Sequence, residues 1–281
     1  MSNVHLQAEQ LVRHVAGYDG CLVAFSGGVD SSVVAQAARL AWDDRAIAVT
    51  GESAAVAEGE IDVARRVARQ IGIRHEVIAT AEFANSNYTA NPTNRCYFCK
   101  DELYTRLGEL LARFGVEVMV NGANADDYND HRPGMIAAAE HQVRSPLAEC
   151  GFTKADVREL ARHWKLPVWD KPATPCLASR VAYGEEVTPH RLRMIDLAEQ
   201  YLRGEGFPVC RVRYHRDDLA RVEVPLEELP RLMKEASLAQ LDAHLKSLGF
   251  RYVTIDPAGF RSGSQNEAIP TELLQISRPA R

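Results

Sequence analysis

The segment SGGVDSS, Ser26–Ser32, is the most informative part of this sequence for its fold. It follows the apolar run Cys21–Phe25 directly and leads into Ser31–Trp42, whose composition is typical of a helix. Two glycines let the backbone turn tightly and point its N–H groups inward, and the helix start adds its positive end. The loop lacks the lysine of a Walker motif. A strand, a glycine-rich loop and a helix in this order predict a site for a phosphate chain.

Strand-like and helix-like stretches alternate on both sides of this loop. The predicted strands are Cys21–Phe25, Ala46–Thr50, His75–Ile78 and Val116–Val120. The predicted helices are Ser31–Trp42, Glu58–Ile71, Asp101–Phe114 and Thr153–Lys165, the last with Thr153 and Asp156 as a capping pair. This alternation predicts an α/β fold, with a parallel sheet and helices on both faces. Ligands of such sheets bind at the carboxyl ends of the strands.

The chain changes character after Leu166–Gly184, a stretch with three prolines and no clear period. We interpret it as a long ordered loop at a domain boundary. The last hundred residues read as a helix from Thr188, strands over Val209–His215, Ala220–Val224 and Arg251–Ile255, and a helical stretch over Leu226–Leu248. We therefore expect one domain over 1–184 and a small α+β domain over 185–281 for substrate binding or oligomerisation.

Length and composition exclude several classes of protein. With 281 residues, 25% charged and 46% hydrophobic, the chain is neither disordered nor fibrous. Its net charge of −5 argues against nucleic acid as the main partner. No apolar run is long enough for a membrane helix and the first residues do not resemble a signal peptide, so we expect a cytoplasmic protein without a membrane partner.

The chain has six cysteines, and three of them form two candidate sites. Cys96 and Cys99 form a CxxC pair in NRCYFCK, close enough to share one metal or cluster. The pair is equally compatible with structural cysteines, and a redox pair is a third reading. Cys176 stands in the proline-rich loop, where catalytic groups tend to lie, with Lys171 and Arg180 as nearby cations.

Charged side chains mark two further candidate sites. Arg211, Arg213 and His215 alternate along one strand, which places them on one face as a phosphate or carboxylate clamp or as a solvated surface. The loop Asp256–Ser264 is a candidate for the same anion site. Asp126 and Asp127 in NGANADD, together with Asp30, are candidates for magnesium or for plain helix capping.

The motifs taken together resemble one family, the LarE-type sulfur transferases of the PP-loop ATP pyrophosphatase superfamily. The chain contains the motifs of this family in the family's order: SGGVDSS, NRCYFCK, NGANADD, RPG, SPLAE, WDKPATPCLASR, RVRYH and DPAGFRSGS. The resemblance covers nearly the whole chain. It implies a PP-loop fold and an enzyme that makes the nickel-pincer nucleotide of lactate racemase. ATP activates a carboxylate of pyridinium-3,5-biscarboxylate mononucleotide, pyrophosphate leaves, and a sulfur donor then displaces AMP to give a thiocarboxylate.

The resemblance also implies roles for single residues. The ATP phosphates would be bound by Ser26, Gly27, Gly28, Asp30, Ser31 and Ser32, with Asp30 also expected to hold Mg²⁺. Thr50 and Gly122 would lie near the adenosine. Arg211 and Arg213 would hold the phosphate of the substrate nucleotide. Family members assemble as hexamers, so the resemblance implies a homo-hexamer.

The source of the sulfur is the point on which family members differ. Some members use a sacrificial cysteine, matched here by Cys176, which becomes dehydroalanine. Others carry a [4Fe-4S] cluster on three cysteines, and this chain has Cys96, Cys99 and Cys176. We favour the cluster, because three thiolates leave one iron open.

Three rival functions stay open. An ammonia-using PP-loop synthetase would not need Cys176. A tRNA thiolation enzyme predicts a basic RNA-binding face, which this acidic chain does not suggest. A nucleotide-sensing module would bind ATP without releasing pyrophosphate.

Overall fold

The computed structural model describes residues 3–129 and 132–261. Its strands are, in chain order, β1 (Cys21–Ala24), β2 (Ala46–Glu52), β3 (Arg74–Ala79), β4 (Val118–Val120), β5 (Arg211–His215), β6 (Leu219–Glu223) and β7 (Tyr252–Ile255). Its α-helices are α1 (Asn3–Val15), α2 (Val29–Trp42), α3 (Glu60–Ile71), α4 (Ser86–Thr89), α5 (Arg95–Phe114), α6 (Gly134–Glu140), α7 (Pro146–Glu149), α8 (Lys154–His163), α9 (Pro189–Gly204), α10 (Leu229–Leu232) and α11 (Glu235–Ser247). None of the helices in these two ranges is long and apolar enough to cross a membrane.

The described residues form two compact units. The first unit comprises the described residues of Met1–Glu82 and Asn94–Thr174. The second comprises Phe83–Thr93 and the described residues of Pro175–Leu273. The domain limits expected from the sequence, 1–184 and 185–281, stay a prediction.

A four-stranded parallel sheet in the order β3-β2-β1-β4 forms the centre of the first unit. Cys21 and Val23 pack into a core with α1, α2, α3 and α8, whereas Leu22 faces the opposite core with α5 and α6. Both faces of β1 are therefore buried, and each such apolar side chain contributes about 1.5–3 kcal/mol to folding. The predicted parallel sheet with helices on both faces is confirmed.

The second unit is built on a smaller mixed sheet in the order β5-β6-β7. β5 and β6 are antiparallel, with Arg211 opposite Glu223, while β6 and β7 are parallel. The amide of Asn91 donates to the carbonyls of Val181 (3.3 Å) and Ala182 (2.8 Å), which explains why the short segment Phe83–Thr93 belongs to this unit. The predicted smaller α+β region is confirmed.

Two predicted helices differ from the structure in their bounds. The helix expected over Asp101–Phe114 begins at Arg95, so the CxxC pair lies inside its first turns. The helical stretch expected over Leu226–Leu248 is divided, because Lys234 adopts an extended conformation (φ −64°, ψ 138°) between α10 and α11. A change of backbone direction at one residue leaves the apolar period of the sequence almost unaltered, which is why the pattern did not show it.

The carboxylate of Glu149 joins three parts of the first unit. It accepts hydrogen bonds from Arg144 (2.9 and 2.8 Å), Tyr18 (2.9 Å) and the backbone N–H of Ser145 (2.9 Å), and His14 lies 2.7 Å away. Burial would raise the pKa of this carboxyl, but hydrogen bonds from Arg144, His14, Ser145 and Tyr18 outweigh it and hold the pKa at about 2. The network ties α1 and α7 to the segment that follows α6.

The same network fixes the loop after β4. The Ser145 hydroxyl donates to the side-chain oxygen of Asn121 (2.9 Å), which also accepts from the backbone N–H of Ala123 (3.0 Å). Gly122 then approaches the start of α2 so closely that a Cβ there would lie 2.7 Å from the Ser31 nitrogen. Glycine is required at 122 because a backbone, not a flexible side chain, fills the space.

We expect Gly122→Ala to lower the free energy of unfolding by about 1–3 kcal/mol, because the added methyl group must push two backbone segments apart. Urea denaturation measures this change. Gly108→Ala is the matched control: Gly108 lies inside α5 with no atom near its Cβ position, so the substitution should stabilise by about 0.5–1 kcal/mol. Equal effects of the two substitutions would contradict this account of Gly122.

We expect Glu149→Gln to reduce stability at pH 7 by an amount on the order of 2–3 kcal/mol. A depressed folded-state pKa stabilises the fold above the unfolded pKa of about 4.3, and this contribution disappears as pH falls toward 2. Urea denaturation of wild type and variant between pH 7 and pH 3 should therefore show a converging difference. The control Glu159→Gln removes an exposed ion pair with Arg162 and should have little effect at any pH. A difference independent of pH would contradict the assignment.

Candidate functional site

The glycine-rich loop, Ser26–Ser32, turns directly from β1 into α2. Gly27 has a φ of +69°, and a Cβ there would lie 2.7 Å from the Cα of Ala64. Gly28 is the N-cap of α2 and is extended (φ −81°, ψ 171°). The first N–H groups of a helix have no partner within the helix and carry partial positive charge, so this start is suited to an anion.

Serine hydroxyls line the same turn. The hydroxyls of Ser26 and Ser31 are 3.1 Å apart, and Ser31 lies 3.3 Å from the carbonyl oxygen of Gly28. The Ser32 hydroxyl is buried and has no hydrogen-bond partner in the described part of the chain. The structure thus gathers six residues for which ATP contacts were predicted around one helix start: Ser26, Gly27, Gly28, Asp30, Ser31 and Ser32.

Asp30 forms an ion pair with Lys154, the first residue of α8. The other carboxylate oxygen of Asp30 accepts a hydrogen bond from the side-chain amide of Asn124 (3.3 Å). The backbone N–H of Lys154 donates to the carboxylate of Asp126 (2.8 Å). Lys154 was not predicted as a site residue from the sequence. One signal was available: a cation in the first turn of a helix is unfavourable for the helix dipole, which indicates a partner elsewhere in the fold.

Thr50 lies in the second half of β2 and Gly122 lies two residues after β4, and these two strands flank β1. The Thr50 hydroxyl donates to the Phe25 carbonyl (2.8 Å) and lies 2.7 Å from Nε2 of His75. Burial and the charge of Arg65 lower the pKa of His75, so the ring is neutral near pH 7. The structure brings both residues to the sheet edge that carries the glycine-rich loop, and their contact with adenosine stays a prediction.

Cys96 and Cys99 lie three residues apart in the first turns of α5. Residues at this spacing are neighbours on one helix surface, and Cys96 is exposed while Cys99 is partly buried. Between them Tyr97 donates a hydrogen bond to Glu140 at the end of α6 (2.6 Å). The pair is thus accessible on a helix that α6 holds in place.

Cys176, the third cysteine of the predicted site, belongs to the second unit. It is exposed and directly precedes a short 3-10 helix, Leu177–Arg180. Within residues 3–129 and 132–261, no group of three or more His, Cys, Asp or Glu side chains is arranged to hold a metal ion. The cluster on three cysteines and the magnesium site at Asp30 therefore stay predictions.

Arg213 and Arg211 on β5 have different surroundings. Arg213 is buried and forms a two-pronged ion pair with Glu223 (3.0 and 2.9 Å) and a hydrogen bond to the Ser179 carbonyl (3.0 Å). Arg211 donates to the Cys210 carbonyl (2.7 Å) and lies over the ring of Phe260. Burial, followed by the charge of Arg180, lowers the pKa of Arg211. The predicted phosphate clamp therefore contains one arginine already oriented by a carboxylate.

The loop Asp256–Ser264 is described only in part. Asp256 forms an ion pair with Arg221 and its backbone N–H donates to the Val222 carbonyl (2.9 Å). Ser262, Gly263 and Ser264 lie outside the described residues.

Comparisons with known proteins agree with this architecture. The family model for asparagine synthase matches residues 9–128, which contain the glycine-rich loop and the four strands of the parallel sheet. An uncharacterized protein of Synechocystis sp. is 44% identical over 93% of this chain and 97% of its own length. The pyridinium-3,5-bisthiocarboxylic acid mononucleotide synthase of Lactiplantibacillus plantarum is 34% identical over 96% of this chain and 97% of its own.

A more distant relative shares only part of the chain. The tRNA-specific 2-thiouridylase MnmA of Beijerinckia indica is 31% identical over 53% of this chain and 43% of its own length. The full-length match to the mononucleotide synthase, together with the glycine-rich loop at the centre of the parallel sheet, places this chain in the LarE family of PP-loop sulfurtransferases.

Proposed function

We propose that this chain uses ATP to convert a carboxylate of pyridinium-3,5-biscarboxylic acid mononucleotide into a thiocarboxylate. The product would serve the nickel-pincer cofactor of lactate racemase. One observation carries the proposal: the 34% identity to the Lactiplantibacillus synthase extends over 96% of this chain. The start of α2 and the exposed Cys176 support it chemically.

Activation of the carboxylate would take place at the glycine-rich loop. The N–H groups at the start of α2 and the hydroxyls of Ser26 and Ser31 would bind the ATP phosphates. A carboxylate oxygen of the substrate attacks the α-phosphorus, the bond to the β-phosphate oxygen breaks, and pyrophosphate leaves with the electron pair. Asp30 would hold Mg²⁺, which neutralises charge on the leaving group, and Lys154 beside it supplies a further positive charge.

Sulfur transfer would follow at the acyl adenylate. In the sacrificial version the Cys176 thiolate attacks the acyl carbon and AMP leaves. A base then removes the Cα proton of Cys176, and the Cβ–S bond breaks to leave a thiocarboxylate and dehydroalanine. This sequence needs no oxidant or reductant.

The cluster version is the one we favour. Cys96, Cys99 and Cys176 would hold a [4Fe-4S] cluster, which supplies an exchangeable sulfide and makes repeated turnover feasible. Accessible thiols at helical spacing in α5, with a third in an exposed loop, fit this donor set chemically. The phosphate of the substrate nucleotide would be held by Arg211 and Arg213, the latter oriented by Glu223. A homo-hexamer and a cytoplasmic location remain predictions from the family resemblance and the sequence.

The partial match to a tRNA 2-thiouridylase supports a second candidate function, thiolation of tRNA. It would require an RNA-binding surface, for which a net charge of −5 offers little support. Failure of tRNA to bind at low salt, with retention of activity on the mononucleotide, decides against it.

The first test of the proposed function concerns pyrophosphate release. We expect Lys154→Met to slow ATP- and substrate-dependent release by about 100-fold, because one preorganised positive charge beside the phosphates is lost. Lys246→Met is the control, since Lys246 forms an exposed ion pair with Asp242 on α11. Release by Lys154→Met at the wild-type rate would contradict the role of Lys154.

The second test concerns the source of sulfur. Protein reconstituted without oxygen should contain about four irons with equal acid-labile sulfide, and Cys96→Ala should lose them, while the control Cys150→Ala retains them. Absence of iron, together with the loss of one H2S from Cys176 after turnover, would establish the sacrificial version instead. Formation by Cys176→Ala of a carboxamide from ammonia, in place of a thiocarboxylate, would overturn both versions and favour an ammonia-using synthetase.

A further inference from the structure

Arg180 is the largest of the side chains that the structure buries almost completely, with 1% of its surface exposed. It closes the short 3-10 helix that begins immediately after Cys176. The function proposed above assigns it no role. A buried guanidinium four residues from a functional cysteine calls for a physical explanation.

The guanidinium divides its hydrogen bonds between a carboxylate and a loop backbone. Nε and Nη2 donate to the two oxygens of Glu199 at 3.0 and 3.1 Å. Nη1 donates to the carbonyls of Pro175 and Cys176, the latter at 3.0 Å, and to the Ser179 hydroxyl at 3.1 Å. The planar fork of arginine can serve both partners at once, whereas a single ammonium group cannot.

Glu199 is itself held firmly in α9. Its carboxylate also accepts from the backbone N–H of Val212 (3.2 Å) on β5 and lies 3.4 Å from Arg203. The arrangement therefore connects the Cys176 backbone, through Arg180 and Glu199, to the helix and the sheet of the second unit. Burying such a pair costs desolvation energy that apolar side chains would not incur, so stability alone is a poor explanation for it.

The Cys176 side chain is exposed, but its carbonyl is fixed by two donors. Besides Arg180, the backbone N–H of Ser179 donates to it at 2.9 Å. Pro175 and Cys176 are both exposed residues outside helix and strand. Hydrogen bonds to their carbonyls thus restrict the backbone from which the thiol projects.

We propose that Arg180 is a positioning residue for Cys176: paired with Glu199, it holds the Pro175 and Cys176 carbonyls and thereby fixes where the thiol projects. The inference rests on the proposed function, in which Cys176 donates sulfur or binds the cluster that does. Both versions need a thiolate at a defined position, because an error of about 1 Å in a reacting group costs on the order of 100-fold in rate.

The test compares Arg180→Lys with wild type in two assays on the full-length protein. We expect thiocarboxylate formation to fall by about 100-fold at saturating ATP, with the first-turnover release of pyrophosphate and the Kd for ATP unchanged. Lysine keeps the charge beside Glu199 but cannot also reach the two carbonyls. Arg231→Lys is the matched control, because Arg231 donates to the carbonyls of Glu205 (3.0 Å) and Gly206 (2.7 Å) in the same unit.

A second variant separates positioning from folding. The double substitution Arg180→Met/Glu199→Met replaces a buried ion pair by apolar side chains, which is often neutral or stabilising. It avoids an unpaired buried charge but removes the acceptor of the Val212 N–H, so it should unfold cooperatively at a urea midpoint above that of Arg180→Met alone and still fail in sulfur transfer. Hydrogen exchange of the Ser179 amide, which shares its acceptor with Arg180, should be faster in both Arg180 variants and unchanged in Arg231→Lys.

Different outcomes overturn different claims. Wild-type transfer by Arg180→Lys, with Cys176→Ala inactive, would overturn the positioning role and leave the proposed function standing. Full transfer by Cys176→Ala would overturn the proposed role of Cys176 and the inference with it. Unchanged exchange of the Ser179 amide in both Arg180 variants would show that Arg180 does not hold this turn.

Discussion

The close approach of the Gly122 backbone to the first turn of α2 is the constraint on which the rest of the first unit depends. β1 lies between β2 and β4, so the loop after each neighbouring strand borders the glycine-rich loop. Backbone atoms on the two sides leave no room for a Cβ at Gly122, nor for one at Gly27 against Ala64. The glycine-rich loop and the first turn of α2 are therefore bordered by the backbone of the loop after β4 and of α3.

Polar interactions between residues far apart in sequence hold together the segments around this helix start. Glu149 accepts hydrogen bonds from α1, from Arg144 and from the Ser145 backbone, and the Ser145 hydroxyl donates to Asn121. Asp30 and Lys154, 124 residues apart, form an ion pair that joins α2 to α8. The charges of Glu149 and Asp30 are therefore each balanced by a basic partner within the fold before any phosphate adds negative charge.

The sequence predicted the parts of the fold that depend on local patterns. Alternating apolar runs, glycines after helices and the Thr153–Asp156 capping box all appear as expected, because strand burial and helix capping are short-range effects. The sequence did not predict that the helical stretch Leu226–Leu248 is divided, because one extended residue, Lys234, hardly changes the spacing of the apolar residues. Lys154 and Glu149 were missed as site residues, and Arg180 was named only as a cation near Cys176, because each acquires its role from partners that only the folded chain brings near. The inclusion of Phe83–Thr93 in the second unit depends likewise on Asn91 bonds to residues about ninety positions away.

The second unit buries two arginines in ion pairs, whereas Lys154 of the first unit is partly exposed. Arg180 and Arg213 are each buried against one glutamate, Glu199 and Glu223, and each also donates from Nη1 to a backbone carbonyl of the turn Cys176–Ser179. A solvated arginine would lose rotamer freedom on meeting a ligand, whereas these two have already lost it during folding. Buried pairs of this kind add little stability compared with apolar residues of similar volume. What they do supply is hydrogen bonding: two guanidinium groups, held by carboxylates from α9 and β6, donate to the backbone of the turn that contains Cys176.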